Sequence, residues 1–202
     1  METPQVMNKH LNGLIRDDRY RLYHSPYIVS HQKEIIESCE HAYKNYNIFF
    51  KYNSKGTTWD YQTYNIFSLA VNSVHFYVIY QQIVAAVREF VGDDRPLWME
   101  SWMNHHRPEE VLDWHGHHSM YTAHGYVSID PKNTVTEFNT FSIENKPGNL
   151  YLGIPGRDMK HRVVVREPYE GYRITLAFNI LGIVGSQHHD YESLNLSYIP
   201  VP

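Results

Sequence analysis

The segment Asp113-Trp114-His115-Gly116-His117-His118 places two histidines two residues apart. In extended chain, residues i and i+2 project to the same side. His115 and His117 therefore converge on one point, and Gly116 leaves room for close approach. Four of the 14 histidines (His115, His117, His118 and His124) crowd into this stretch, which calls for a chemical reason. A third candidate, His161, opens the β-prone run His161–Val165 after Pro155-Gly156-Arg157-Asp158. Three imidazoles on one side of a metal leave its other positions open, as a reaction centre requires and a closed structural site does not. Neutral imidazole suits iron, zinc, copper and nickel. A structural zinc would recruit cysteines, and the one cysteine, Cys39, falls in a predicted helix. The competing reading is a solvated, histidine-rich loop. His118 and His124 are expected to face away or to lie in the loop. His105/His106 and His188/His189 are expected to be surface residues or to stand behind the ligands.

Arg173 follows His161 inside Tyr172-Arg-Ile-Thr-Leu-Ala-Phe-Asn. Arginine inside so β-prone a run is costly to bury unless an anion meets it. Thr175 lies two residues on, on the same strand face. A guanidinium fork with a hydroxyl beside it makes a carboxylate clamp. The alternative is an internal ion pair with Glu137 or Glu144.

These residues need elements to carry them. From Ile35 the apolar positions Ile35, Ile36, Cys39, Ala42, Tyr43 and Tyr46 recur at helical spacing, with Ser30 as a cap and Lys33 and Glu34 in the first turn. Residues 51–60 read as a loop. A second helix is predicted from about Ile66 to Phe90, ended by Gly92 and Pro96. Beyond Pro96 the texture becomes short β-prone runs: Leu97–His106, Tyr121–Ile129, Val135–Ile143, Asn149–Ile154, His161–Val165 and Tyr172–Ile183. Proline and glycine separate them, a spacing that predicts a β sandwich or barrel. The expected organisation is a helical region over residues 1–95 packed on a mainly β core over residues 96–202, with a polar tail after Ser186 along the surface.

Taken in order, His115-x-His117, His161 and Arg173-x-Thr175 resemble the 2-oxoglutarate/iron(II) oxygenases, in their prolyl-hydroxylase-like branch. The run Pro147-Gly148-Asn149-Leu150-Tyr151-Leu152 leading to Ile154-Pro155 and His161 is also similar to theirs. The resemblance covers roughly residues 98–182 and implies a double-stranded β-helix (jelly-roll, cupin-like) core. It implies Fe(II) on His115, His117 and His161, with no catalytic residue beyond the metal centre. It implies 2-oxoglutarate as cosubstrate, its far carboxylate on Arg173 and Thr175, and O2 as oxidant, with succinate and CO2 released as a substrate is hydroxylated. Tyr126 and Ser128, on the strand after the metal motif, are candidates to touch 2-oxoglutarate. Trp102 and Asn104 are candidates for the same cavity, and Tyr151 is placed similarly. Core packing is the competing reading for all five. The sequence departs from the family where an acidic ligand becomes His117, which leaves the metal more positive. Asp113, on the same face as His115, is read either as a ligand or as an acceptor for a histidine N–H.

Composition narrows the rest. With 42% apolar and 20% charged residues, the 202-residue chain can build a core without staples. A formal charge of −4 with scattered basic residues argues against a polynucleotide substrate. A lone cysteine favours a reducing compartment. No stretch approaches a membrane span, and residues 1–18 have no apolar signal segment. A soluble, cytoplasmic enzyme acting on a peptide, protein or small molecule is the expectation, with the oligomeric state open. Two rivals stand: a cupin-type three-histidine metalloenzyme that does not use 2-oxoglutarate, and a non-catalytic metal-binding β domain.

Overall fold

In the computed structural model, which describes residues 11–50, 64–182 and 198–202, alternation along four central strands decides the architecture. Strands β3 (Leu97–His106), β4 (Ala123–Asp130), β7 (Asn149–Gly153) and β9 (Arg173–Gly182) are buried on both faces over most of their length. On β9, Ile174, Leu176, Phe178 and Ile180 point to one core cluster, while Ala177 belongs to a second. On β4, Val127 and Ile129 join the first cluster and Tyr126 the second. On β7, Leu150 and Leu152 oppose Tyr151 in the same way. A period of two thus sends aliphatic residues to one side and polar or aromatic residues to the other.

The aliphatic side is covered by helices. Helix α1 (Pro26–Ser30) starts where the Ser25 hydroxyl accepts from Ile28 N–H, with Pro26 in the first turn. Helix α2 (Gln32–Phe50) buries Ile35, Cys39, Ala42 and Tyr46, a helical stripe against the sheet. Helix α3 (Ile66–Leu69) is short, and α4 (Val74–Val91) follows. Ser73 caps α4 by accepting from Phe76 N–H, and Gly92 closes it at φ 76°, a left-handed geometry that favours glycine. Each fully buried aliphatic side chain in this layer contributes about 1.5–3 kcal/mol.

The large sheet runs β1 (Asn12–Arg16), β2 (Tyr20–His24), β7, β4, β9, β3, β10 (Ile199–Val201), every neighbouring pair antiparallel. A smaller antiparallel sheet runs β6 (Ser142–Glu144), β5 (Thr134–Phe138), β8 (His161–Val165). Phe138 and Ile143 of the small sheet pack with Tyr126, Tyr151 and Ala177 of the large one, so the second core cluster lies between the sheets.

The bounds of β3 and β8 agree with the sequence reading, and the architecture is mainly β, with helices contributed by the N-terminal part. Several details differ. Residues before Pro96 supply two strands as well as helices: β1 and β2 form a hairpin whose second strand pairs with β7. Ser30 ends α1 instead of capping α2; Ser25 is the residue that caps. The helix expected from Ile66 to Phe90 breaks at residues 70–73, where Ser73 offers a new cap. The run expected from Val135 to Ile143 is two strands. Ile199–Val201 adds an edge strand to β3. The loop expected at residues 51–60 lies outside the described residues, as do His188 and His189. Among the described residues, no helix is long and apolar enough to cross a membrane.

Candidate metal centre

His161 is the first residue of β8, and the backbone at His115 runs antiparallel to it. His115 N–H donates to the His161 carbonyl, and His161 N–H donates to the His115 carbonyl, each at 2.9 Å. This isolated bridge sets the two rings side by side, centroids 4.3 Å apart. His117, two residues on, returns to the same side. One ligand atom from each of His115, His117 and His161 lies within 4.8 Å of the others. The three residues whose spacing predicted convergence are therefore brought together by the fold.

The tautomers of two of them follow from their partners. His115 Nδ1 lies 2.7 Å from the Asp113 carbonyl, and His161 Nδ1 lies 3.0 Å from the Met159 carbonyl. A carbonyl only accepts, so both Nδ1 atoms carry the proton and both Nε2 lone pairs are free for a metal. Asp113 thus acts through its backbone. Its carboxylate accepts from Trp114 N–H at 2.7 Å and is no part of the three-ligand cluster.

The surroundings hold these rings uncharged. Burial lowers the pKa of His117 to about 4 and of His161 to about 3, with neighbouring histidines adding to the effect. Burial also lowers His115, against the pull of the Asp113 carbonyl. Neutral imidazoles accept a metal near pH 7 without first shedding a proton. The same shifts predict a pH dependence of the metal-free protein. These groups titrate near 6.5 when unfolded and lower when folded, so between those values the unfolded state binds more protons. Stability is therefore full above pH 6.5 and falls as the pH drops towards 4, by about 1.4 kcal/mol per pH unit per buried histidine. Urea unfolding of metal-free protein at pH 7, 6 and 5 measures this, and a flat profile over that range would show the rings to be solvated.

His124 was expected to face away, and the structure corrects this. It is 2% exposed, and its ring stacks on that of His117 at 4.1 Å and 16°. It also lies 5.6 Å from His161 in a parallel plane. The available signal was period two on β4, since His124 shares its face with Tyr126. Gly125 allows the close fit: a Cβ there would strike the Tyr151 carbonyl and the Phe178 ring. His118 behaves as expected, exposed, with Nδ1 accepting from Met120 N–H. His105 and His106 are fully buried and not at the surface. His105 is sandwiched between Tyr43 and Tyr172, at 4.0 and 3.9 Å, and its Nε2 meets Glu40 at 2.9 Å.

His115, His117, His124 and His161 line a cavity of about 40 Å3 between the two sheets. Its wall includes Trp102 and Asn104 of β3, Tyr126 of β4, Thr136 of β5, and Arg173 and Thr175 of β9. Arg173 is 3% exposed. Its Nε reaches only the Thr134 hydroxyl, at 3.4 Å, and its Nη1 makes no hydrogen bond. The two acids that could have paired with it are engaged elsewhere: Glu137 with Arg162 at 2.9 Å and Glu144 with Lys146 at 3.4 Å. Among the described residues, no carboxylate forms an ion pair with Arg173. Burial pulls its pKa down, yet guanidinium keeps its proton near neutrality. A buried cation without an anion is expensive. Thr175 Oγ1 accepts from Asn104 Nδ2 at 3.1 Å, which leaves its own proton to donate, and Trp102 Nε1 donates to Asn104 Oδ1.

Tyr126 donates to Asn145 Oδ1 at 3.1 Å, and burial pushes its pKa up to about 12, so the phenol stays protonated. Ser128 shares its strand face and is fully buried with an unbonded hydroxyl, but it does not line the cavity. Tyr151 also stays out of the lining and packs against Tyr126 and His124. An open cleft of about 600 Å3 meets the cavity at His117, walled by His118, Ser119, Gly156, Arg157 and Lys160. No family model matches the chain, and no curated protein matches it either.

Proposed function

We propose that this chain is an Fe(II)- and 2-oxoglutarate-dependent oxygenase with a jelly-roll core. The observation that carries the reading is Arg173, a buried guanidinium with an unbonded Nη1 and no carboxylate partner, in the same cavity as three convergent histidines. A dianionic ligand in this cavity that met both the histidine-bound metal and Arg173 would satisfy both. Two antiparallel sheets with the cavity between them suit a jelly roll, whose ligand sites lie inside.

The residues fit the cofactors by their donor chemistry. His115 and His161 would hold Fe(II) through Nε2, with His117 as the third ligand. Iron and 2-oxoglutarate together would supply the oxidising chemistry, in which decarboxylation to succinate and CO2 is coupled to hydroxylation of a substrate C–H bond by O2. Arg173 would pair with the far carboxylate, and the Thr175 proton would add a second donor beside it. The chain Trp102–Asn104–Thr175 orients that hydroxyl by occupying one of its acceptor positions. Buried Tyr126 and Ala177, with half-buried Trp102, Leu112 and Val163, limit water in the cavity, which strengthens each charge contact. A primary substrate, peptide or small molecule, would approach through the open cleft at His117.

The test is anaerobic. Fe(II) added to metal-free protein, then titrated with 2-oxoglutarate, should give a weak visible charge-transfer band that saturates. Absence of the band, with no heat of 2-oxoglutarate binding, would overturn this reading and favour a cupin-type three-histidine enzyme. Stoichiometric zinc that Fe(II) and 2-oxoglutarate do not displace would favour a non-catalytic metal-binding domain.

A further inference from the structure

A ligand histidine binds metal with one ring nitrogen, and the other must be held if the ring is to present the right tautomer. His115 and His161 are held by backbone carbonyls. His117 has no such carbonyl among the described residues; its ring stacks on that of His124, which the β4–β9 register sets opposite Asn179. Asn179 continues the face of β9 that carries Arg173, Thr175 and Ala177. It lies opposite Glu100 of β3 on one side and His124 of β4 on the other. Its Nδ2 donates to Glu100 Oε1 at 2.7 Å, with Glu100 fully buried and Asn179 3% exposed. An amide nitrogen only donates, so this bond fixes the carboxamide and turns Oδ1 the other way. Asn179 Oδ1 is itself buried and has no hydrogen-bond partner.

We propose that Asn179, oriented by Glu100, is the acceptor for the outward ring N–H of His117, and so sets which nitrogen His117 offers to the metal. Asn179 is a positioning residue: it acts through His117 and does not touch the reacting atoms. The edge of the His117 ring is held by Asn179, and its face is held by the stacked His124 ring. The line Glu100–Asn179–His117 does for the third histidine what the Asp113 and Met159 carbonyls do for the other two. Unlike them it continues through a second hydrogen bond, and bonds in series polarise one another and make His117 a stronger donor to the metal. The proposal rests on the three-histidine site and is independent of 2-oxoglutarate.

Two readouts test it, neither of them activity. In metal-free, 15N-labelled protein, long-range proton–nitrogen correlation spectra should show one tautomer for His117. Asn179→Leu, close in size but without an acceptor, should give a mixture or the opposite tautomer. Co(II) affinity should fall about 10- to 100-fold in Asn179→Leu, the usual scale for contacts behind a ligand. Glu100→Gln should move both readouts in the same direction by less, and it covers the case in which Asn179→Leu does not fold. The double variant Glu100→Gln/Asn179→Asp keeps a donor at 100 and an acceptor at 179, and should restore both. An unchanged tautomer together with unchanged Co(II) affinity in the folded single variants would overturn the assignment. Failure of the oxygenase reading would appear separately, as absent 2-oxoglutarate binding with both readouts intact.

Discussion

His161→Ala is expected to abolish tight divalent-metal binding while leaving the protein folded. His161 supplies one of the three ligand atoms that lie within 4.8 Å of one another. The two that remain would sit on one segment, with no partner across the cavity. Contacts behind a ligand are worth about 10- to 100-fold in affinity, so loss of a ligand itself should exceed about 100-fold. The fold should survive, because β8 pairs with β5 through its backbone from His161 to Val165. The side chain removed packs against Phe138 with centroids 5.1 Å apart, a contact that a small cavity replaces. His118→Ala is the matched control: that ring is exposed, and the variant should bind metal as the parent does. Iron or cobalt titration followed by calorimetry separates the two. If His161→Ala kept the parent affinity, the triad would be wrong, and His124, parallel to His161 at 5.6 Å, would be the first replacement to test.

What the sequence reveals here depends on how locally each feature is written. Strand β3 and strand β8 are bracketed by charge, proline or glycine, and their bounds could be read directly. The hairpin β1–β2 could not: β1 is exposed at every position, so no alternation betrays it. The convergence of His115 and His117 is local, a matter of i and i+2. That of His161 is not, since it depends on the backbone bridge to His115. The partner of Arg173 was undecidable for the same reason. Glu137 became available to Arg162 only through the β5–β8 register, which sets those two residues opposite each other. Asp113 shows the limit of the same-face rule. Its carboxylate turns to the Trp114 N–H, and its carbonyl does the work on His115. His124 was legible in principle, because a strand that points Tyr126 at the cavity must also point His124 there. Loop-like neighbours on its N-terminal side concealed that phase.

Arg173→Leu carries the second large effect, and its sign differs between two measurements. The guanidinium is buried, has no ion-pair partner among the described residues, and spends its Nε on a hydroxyl at 3.4 Å. Exchanging such a charge for an apolar side chain of similar volume is neutral or stabilising, by about 1–4 kcal/mol in comparable cases. The variant should therefore melt no lower than the parent when both are free of ligand. With 2-oxoglutarate the order reverses. A buried guanidinium–carboxylate contact broken on one side costs about 3–5 kcal/mol, which is about 100- to 4,000-fold in affinity. The far carboxylate would then lie unpaired against leucine, with only Thr175 to meet it. Metal binding should be unchanged, since Arg173 is not one of the three clustered ligands. Melting curves of parent and variant, with and without 2-oxoglutarate, test all three statements in one experiment. A parent stabilised by 2-oxoglutarate beside a variant that ignores it assigns the carboxylate to Arg173. A variant that melts well below the parent without ligand would show instead that Arg173 is a structural residue, held by contacts that leucine cannot replace, and the cavity would lose its claim to a dicarboxylate.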